Sequence, residues 1–365
     1  RDSGNTFRPL SEHLAAIRRD LAHPPLIYLL FRGWLDLFGH SEVAVKSLII
    51  SINVLSLALF TWLAHETTRH WRLASLLFSS IYFKIGSIPN LARGYGLVLL
   101  CTIAAIVLWR EWYKSSRTRW LTGWVLVMTI SVFTHYFGLL LLAAFMLTGL
   151  TYGPRKKAFL LGALIPVVMM IPWVFYLLPV HDSGTSIVPQ SLHWVTTREV
   201  RQGVVNLPVA FMTYIEPGND PLASPNLIEN PRVWRMMKYA VWSLLLVFAI
   251  LVVRYRENII SPGEERMATV RWFWILVMIA GVPLAALAFV SLTVAPLIHP
   301  RFLTGILPVY WLLLAMIVQF TGNTGRIFSY VFIAPLVLGS ALVVSFNNLG
   351  SSDIRNRVKE VADAF

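Results

Sequence analysis

The sequence has little cysteine and little charge. Cys101 is the single cysteine among 365 residues, so a disulfide framework and a cysteine-based metal cluster are excluded. It lies in an apolar run, which is typical of a small buried side chain. Charged residues make up 13% of the chain, against about 25% in an average soluble domain. A soluble globular enzyme is therefore not expected, and a hydrophobic content of 56% excludes a disordered chain.

Several catalytic signatures are also absent. The chain has no P-loop, no Gly-x-Ser-x-Gly, no His-Glu-x-x-His, no dinucleotide fingerprint and no Asp-x-Asp pair. A proton- or cation-coupled transporter usually carries acids inside its helix bundle. Here all seven aspartates lie outside the long apolar runs: Asp2, Asp20, Asp36, Asp182, Asp220, Asp353 and Asp363.

The chain is instead rich in long apolar runs, with a mean hydropathy of +0.65. A membrane-spanning helix needs about 20 mainly apolar residues. The runs predict an all-α polytopic membrane protein with a bundle over 43–346. Ten spanning segments are predicted: 43–64, 73–89, 91–110, 120–135, 136–152, 158–180, 236–253, 272–295, 302–320 and 326–346. The fourth and fifth form one apolar stretch that is interrupted only around His135.

Basic residues cluster in alternate loops. One set of loops carries fourteen of them: Arg69, Arg72, Arg110, Lys114, Arg117, Arg119, Arg155, Lys156, Lys157, Arg254, Arg256, Arg266, Arg271 and Arg326. The intervening short loops hold only Lys84, Arg93 and Arg301. The positive-inside rule places the fourteen in the cytoplasm. Most of the net charge of +13 is therefore a topology signal, and no nucleic-acid partner is expected.

Three segments then fall on the outer side: 1–42, 181–235 and 347–365. Within the first, residues 8–20 have helical spacing. Residues 24–39 are apolar but short, and a crossing there would invert the charge alternation, so we predict a helix lying at the outer interface. The loop 181–235 exceeds an ordinary connection and is predicted to be functional. Because the chain starts without Met or a signal peptide and ends after an amphipathic stretch, we expect it to continue at both ends.

Polar residues at the outer ends of these helices are the candidates for chemistry, since ionisable groups at membrane depth are costly. His23 opens the segment 24–39, where a solvated residue at a helix start is the simpler interpretation. Arg93, between the second and third predicted helices, either snorkels to lipid headgroups or binds phosphate through its guanidinium fork. Lys84, nine residues earlier, is placed to snorkel to the same surface.

Two later outer turns carry similar residues. His135, followed by Tyr136, marks one of them, and His299 and Arg301 mark the other. A lone histidine in such a turn is more often a hydrogen-bonded interfacial residue than a catalyst. Nevertheless, three distant turns that each present a cation or a histidine suit an anionic lipid headgroup better than three independent snorkelling residues.

Four of these segments together resemble one family. They are HPPLIYLLFRGWLDLFGHSEVAVKSL over 23–48, NLARGYGLVLL over 90–100, THYFGLLLL over 134–142 and HPRFLTGILPVYWLLLA over 299–315. The chain resembles the polytopic GT-C glycosyltransferases of the dolichyl-phosphate-mannose–protein mannosyltransferase type (glycosyltransferase family 39), which include the bacterial aminoarabinose transferases. The likeness covers most of the N-terminal half, whereas 158–290 adds only hydropathy. SSDIRNRVKEVADAF over 351–365 resembles the opening helix of the family's outer domain.

The resemblance implies a GT-C bundle that transfers a hexosyl or pentosyl group with inversion. The donor is a polyprenyl-phosphate sugar lipid, and the acceptor is a protein, lipid or glycan on the extracytoplasmic face of the plasma (inner) membrane. Such a transfer needs a base for the acceptor hydroxyl and positive charge at the departing phosphate. Asp2 matches the family base, although Ser3 stands where the family has Glu, and Asn90-Leu91 replaces its usual Gln-Glu.

The other roles follow from the same resemblance. Arg93 and Arg301, with Lys84, would bind the donor phosphate. Supporting roles fall to His23, Tyr95, His135, Tyr136 and His299. No cofactor is expected, and a divalent metal is not favoured because Asp2 has no acidic partner in the sequence.

Two other classes share parts of this pattern. An O-antigen polymerase or ligase also has a long outer loop with outer arginines, and it would use His193, Arg198 and Arg201 in 181–235. A lipid or solute transporter would show helices broken at the membrane midplane and an internal repeat, neither of which is clear in the sequence. A protein without catalytic activity, acting as a scaffold, is the remaining alternative.

Overall fold

A computed structural model describes residues 24–85, 94–181, 231–257, 267–293 and 304–334, and these residues contain helices and turns but no strand. Five helical stretches are long and apolar enough to cross a membrane: Val43–Thr67, Tyr95–Ser115, Lys156–Leu177, Met267–Val290 and Thr304–Ile333. The described part is therefore all-helical and compatible with a polytopic membrane protein. Its helices are α1 (Leu26–Phe38), α2 (Glu42–Thr67), α3 (Trp71–Ile85), α4 (Tyr95–Ser115), α5 (Thr118–Thr134), α6 (Phe137–Tyr152), α7 (Lys156–His181), α8 (Pro231–Arg254), α9 (Met267–Thr293) and α10 (Leu307–Phe328).

Local chemistry sets several helix ends. The Ser41 hydroxyl accepts a hydrogen bond from the Ala44 N–H at 3.1 Å and so caps the start of α2. Gly94 adopts φ +82°, in the left-handed region that favours glycine, immediately before α4. At the other end of α4 the chain turns at Ser116, which has φ +54°.

The third predicted segment, 91–110, differs from the structure at its C-terminal end. Helix α4 continues to Ser115, so Arg110 and Lys114, predicted for the following loop, lie in the last turns of the helix. The difference arises because residues 110–115 mix charged and aromatic side chains. A prediction based on hydropathy ends the segment at the first charged residue, although the helix continues as an amphipathic one.

Two of the boundaries between predicted segments correspond to visible breaks in the helices. Helix α5 ends at Thr134 and α6 begins at Phe137, so the interruption lies at His135. Near the division between 302–320 and 326–346, Gly322 has φ +64° and ψ −140° and kinks α10. A π-helical turn over Ser329–Ile333 continues the chain beyond the kink.

Helix α1 is amphipathic and packs along one face only. Ile27, Phe31 and Leu35 are buried in one cluster with residues of α2 and α4, whereas Leu37 is 78% exposed. The Trp34 indole N–H donates to the Ala44 carbonyl oxygen at 2.9 Å and fixes α1 on the start of α2. With 13 residues, α1 is about 20 Å long, which is shorter than a membrane core of about 30 Å.

Helix α4 and the stretch Thr304–Ile333 are the most buried apolar helices of the described bundle. In each of their apolar windows 72% of the residues are buried, against 33% in α7. Trp109 stacks on Trp272 of α9 with ring centroids 5.9 Å apart, and Trp112 stacks on Phe159 of α7 at 5.1 Å. Helix α7 instead exposes a face of large apolar side chains, including Phe175 at 66%. Such a face is unusual for a protein in water and suits contact with lipid.

The turns that carry the basic residues meet at one end of the bundle. They are every second turn along the chain, and several contacts join them. Arg110 of α4 reaches the Glu66 carboxylate of α2 at 3.1 Å. Arg271 at the start of α9 donates to the Tyr113 hydroxyl at 3.0 Å, and Tyr255 after α8 lies 3.3 Å from the Thr324 hydroxyl. We call this the basic end, made of residues 66–72, 110–119, 153–157, 254–257, 267–271 and 319–326.

Candidate functional site

The sequence-predicted site residues fall into two groups. His135, Tyr136 and Tyr95 are described, and they lie at the end of the bundle opposite the basic end. Lys84 belongs to the described backbone of α3, without a description of its side chain. The remaining residues lie outside the described residues: Asp2, His23, Arg93, His299 and Arg301, and also His193, Arg198 and Arg201 of the alternative. The segments 8–20, 182–230 and 335–365 lie outside them as well.

His135 forms the tight turn between α5 and α6. Its backbone is extended, with φ −158° and ψ 139°, and its N–H donates to the Ser131 carbonyl oxygen at 3.1 Å. The ring is 5% exposed, and its Nδ1 accepts a hydrogen bond from the Phe137 N–H at 3.0 Å. The imidazole therefore satisfies one of the backbone N–H groups that would otherwise be unpaired at the start of α6.

This hydrogen bond also sets the tautomer of the ring. A nitrogen that accepts a hydrogen bond carries no hydrogen, so neutral His135 has its hydrogen on Nε2 and is a donor there. Tyr95 packs beside it, with ring centroids 5.1 Å apart. The arrangement suits a histidine that positions the turn and donates a hydrogen bond. It does not suit a general base, because accepting a proton would break the contact with Phe137.

The turn before α4 presses directly on the His135 turn. A Cβ on Gly94 would lie 2.9 Å from Cγ2 and 3.3 Å from the carbonyl oxygen of Thr134, and 3.5 Å from the Cβ of Ile27 in α1. Glycine is thus required by close approach as well as by its φ angle. Three segments, each next to one predicted outer motif, meet at this point.

The chain leading into α10 reaches the same place. Residues 304–306 form a 3₁₀ turn ahead of α10. A Cβ on Gly305 would collide with the Phe137 ring and would lie 3.3 Å from Val98 of α4. We call the meeting point of 24–27, 94–98, 131–138 and 304–307 the His135 end.

Other polar and aromatic groups line this end. The Tyr136 hydroxyl accepts a hydrogen bond from the Trp173 indole N–H of α7 at 3.4 Å. Ser131 lies one helical turn before His135, and its buried Oγ has no hydrogen-bond partner among the described residues. An unsatisfied buried hydroxyl is uncommon and marks a place where a further polar group would be stabilised.

Sequence reasoning missed Gly94, Ser131, Trp173 and Gly305 as parts of this end. A signal existed for Ser131, since it is a polar residue in the last turn of α5, directly before the break at His135. Trp173 is in the middle of an apolar run, and only its contact with Tyr136 identifies it.

Among the described residues, no three histidine, cysteine, aspartate or glutamate side chains lie close enough to hold a metal ion. The expectation that no metal is required stays a prediction, because Asp2 and His299 lie outside the described residues.

The comparisons with known proteins returned nothing. No protein-family model matches the chain, and neither the curated proteins nor the solved structures include a match. The likeness to GT-C glycosyltransferases therefore rests on the sequence segments quoted above, and the geometry of the His135 end is the structural observation to set beside it.

Proposed function

We propose that this chain is a membrane glycosyltransferase of the GT-C type, with about ten spanning helices in a plasma (inner) membrane. It transfers a sugar, with inversion, from a polyprenyl-phosphate donor to a protein, lipid or glycan acceptor. The reaction takes place at the His135 end, on the extracytoplasmic face. One observation carries the proposal: residues adjoining four sequence motifs, which are far apart along the chain, meet at the His135 end.

The motifs supply the charge that the reaction needs. His23 precedes the residues at 24–27, Arg93 directly precedes Gly94, and Arg301 lies four residues before Gly305. Two arginines that adjoin this cluster in sequence would supply positive charge for the negative charge that develops on the phosphate leaving group. Asp2 is the proposed base for the acceptor hydroxyl.

The described residues have positioning roles in this proposal. His135 fixes the α5–α6 turn through its Nδ1, and Gly94 allows the Arg93 turn to approach it. Tyr136, held by Trp173, presents an aromatic ring next to the turn. The arginines of the basic end lie at the opposite end of the bundle. In this proposal, a phosphate at the His135 end is therefore bound by a different set of cations, Arg93 and Arg301.

The test is sugar transfer in membranes that contain the protein. Polyprenyl-phosphate mannose and polyprenyl-phosphate aminoarabinose serve as radiolabelled donors, and release of the free polyprenyl phosphate is measured. Arg93→Ala should abolish release without changing the unfolding midpoint. Arg117→Ala, at the basic end, is the matched control and should keep wild-type release.

Three results would count against the proposal. Unchanged release from Arg93→Ala would remove the phosphate role. A second result would favour the polymerase or ligase instead. In that case Arg198→Ala and Arg201→Ala would lose activity, whereas Arg93→Ala would still transfer sugar to a polymeric glycan. An Asp2→Asn variant that keeps full activity would remove the proposed base.

A further inference from the structure

Three arginines at the basic end have no acidic partner among the residues that the structure describes. Arg69 lies in the turn between α2 and α3, Arg72 lies in the first turn of α3, and Arg326 lies near the end of α10. All three residues are exposed, and none forms an ion pair within the described part of the chain. Unneutralised positive charge is thus concentrated at one seam, where α3 packs against α10.

A hydrogen-bonded junction holds the two sides of this seam together. The Gln319 Oε1 of α10 accepts the Thr68 hydroxyl at 3.1 Å and the Arg69 N–H at 3.1 Å. His70 lies close enough to Arg326 for that charge to add to the effect of burial in lowering the histidine pKa. The turn 68–70 and the last turns of α10 therefore form one surface.

Within the described part of the chain, no acidic side chain forms an ion pair with these three arginines. Glu66 is bound by Arg110 at 3.1 Å, and Glu111 is bound by Arg110 at 3.3 Å and by Lys114 at 3.7 Å. Glu257, after α8, forms no ion pair with any described residue. Glu66 and Glu111 are thus engaged by basic residues of α4 and not by the three arginines of the seam.

The surface beside the arginines is apolar. Ile327 is 61% exposed, and Tyr330, Val331 and Phe332 are also exposed on the same stretch after the Gly322 kink. The Arg72 guanidinium lies 5.4 Å from the centroid of the Trp71 ring, a cation–π distance. Positive charge next to exposed aliphatic and aromatic side chains is complementary to a phospholipid, whose headgroup phosphate is joined to acyl chains. A soluble anion would contact the arginines but not the apolar side chains.

We propose that the seam formed by Arg69, Arg72, Arg326 and the exposed side chains of Ile327, Tyr330, Val331 and Phe332 binds an anionic phospholipid through its headgroup phosphate. The site is at the basic end, so it is separate from the proposed donor site and does not depend on it. The guanidinium groups contact the phosphate, and the acyl chains lie along the apolar stretch after the kink.

The test uses native mass spectrometry of the full chain in detergent with added phosphatidylglycerol, and phosphatidylcholine as the zwitterionic comparison. The triple variant Arg69→Gln, Arg72→Gln, Arg326→Gln should bind phosphatidylglycerol at least about tenfold more weakly. The matched control Arg155→Gln, Lys156→Gln, Lys157→Gln removes the same charge from the same end and should bind like the wild type.

Further arms keep the result decisive. The triple lysine variant of the same three positions keeps the charge and should retain most of the affinity. If the triple glutamine variant does not fold, Arg72→Gln alone should weaken binding by about fivefold. Equal losses in the triple variant and its control, or equal binding of both lipids, would overturn the proposal. So would displacement of the lipid by inorganic phosphate alone, which would indicate a soluble anion.

Discussion

Replacing Gly94 by alanine should destabilise the folded protein by about 2–5 kcal/mol. The left-handed backbone at Gly94 costs a residue with a Cβ about 1–2 kcal/mol. The new Cβ would also lie 2.9 Å from Cγ2 of Thr134, which is fully buried and has little room to move. Overpacking of this kind costs about 1–3 kcal/mol.

The assay is reversible unfolding of the detergent-purified protein, followed by the loss of helical signal. Gly33→Ala is the internal control, because Gly33 lies in α1 with no atom within 4 Å of the new Cβ. There alanine should stabilise the helix by about 1 kcal/mol. The same chemical change thus has opposite signs at the two sites.

A second substitution separates the two contributions at Gly94. Thr134→Ser removes Cγ2 but keeps the hydroxyl that donates to the Ile130 carbonyl oxygen at 2.7 Å. In the Gly94→Ala background it should recover about 1 kcal/mol or more of the steric cost. If Gly94→Ala proves as harmless as Gly33→Ala, the close approach at the His135 end is wrong. If Thr134→Ser recovers nothing, the cost comes from the backbone alone.

Three further substitutions test other parts of the fold by the same unfolding measurement. Gly305→Ala places a methyl group against the Phe137 ring and should cost about 1–3 kcal/mol; a neutral result would show that α10 does not approach α6 there. Arg110→Met should lower the free energy of unfolding by about 1–3 kcal/mol. This is less than the loss of a fully buried ion pair, because the partner side chain Glu66 is 38% exposed. Unchanged stability would mean that the pair contributes nothing. Burial, and then the charge of Arg326, lower the pKa of His70 from its ordinary 6.5, so stability should fall as the pH drops below 6.5. His70→Gln should reduce that fall, and an identical pH profile in the variant would contradict the burial of this ring.

Local features of the fold could be predicted from the sequence, because they depend on neighbouring residues. The apolar runs mark most of the described helices to within a few residues, and the break at His135 follows from a polar residue within one long run. Gly94 was recognisable only as part of a motif. Its close approach to Thr134, forty residues away along the chain, is not visible in the sequence.

Non-local features could not be predicted in this way. Arg110 was expected in a solvated loop, yet its side chain is 10% exposed because Glu66, on another helix, approaches it. Hydropathy treats every arginine alike and contains no information on that partner. Where Arg93, Arg301 and Asp2 lie relative to His135 stays a prediction. Their positions also depend on contacts between segments that are distant along the chain, and hydropathy contains no information on such contacts.

The shortness of the α5–α6 hairpin has a consequence for the surrounding bilayer. Helices of 17 and 16 residues rise about 25 Å each, whereas the hydrocarbon layer is about 30 Å thick. Hydrophobic mismatch of this size is relieved by local thinning, so in a membrane the leaflet at the His135 end would form a shallow depression over the His135 turn. A lipid headgroup in that depression sits lower than its neighbours, and it reaches the turn without leaving the leaflet.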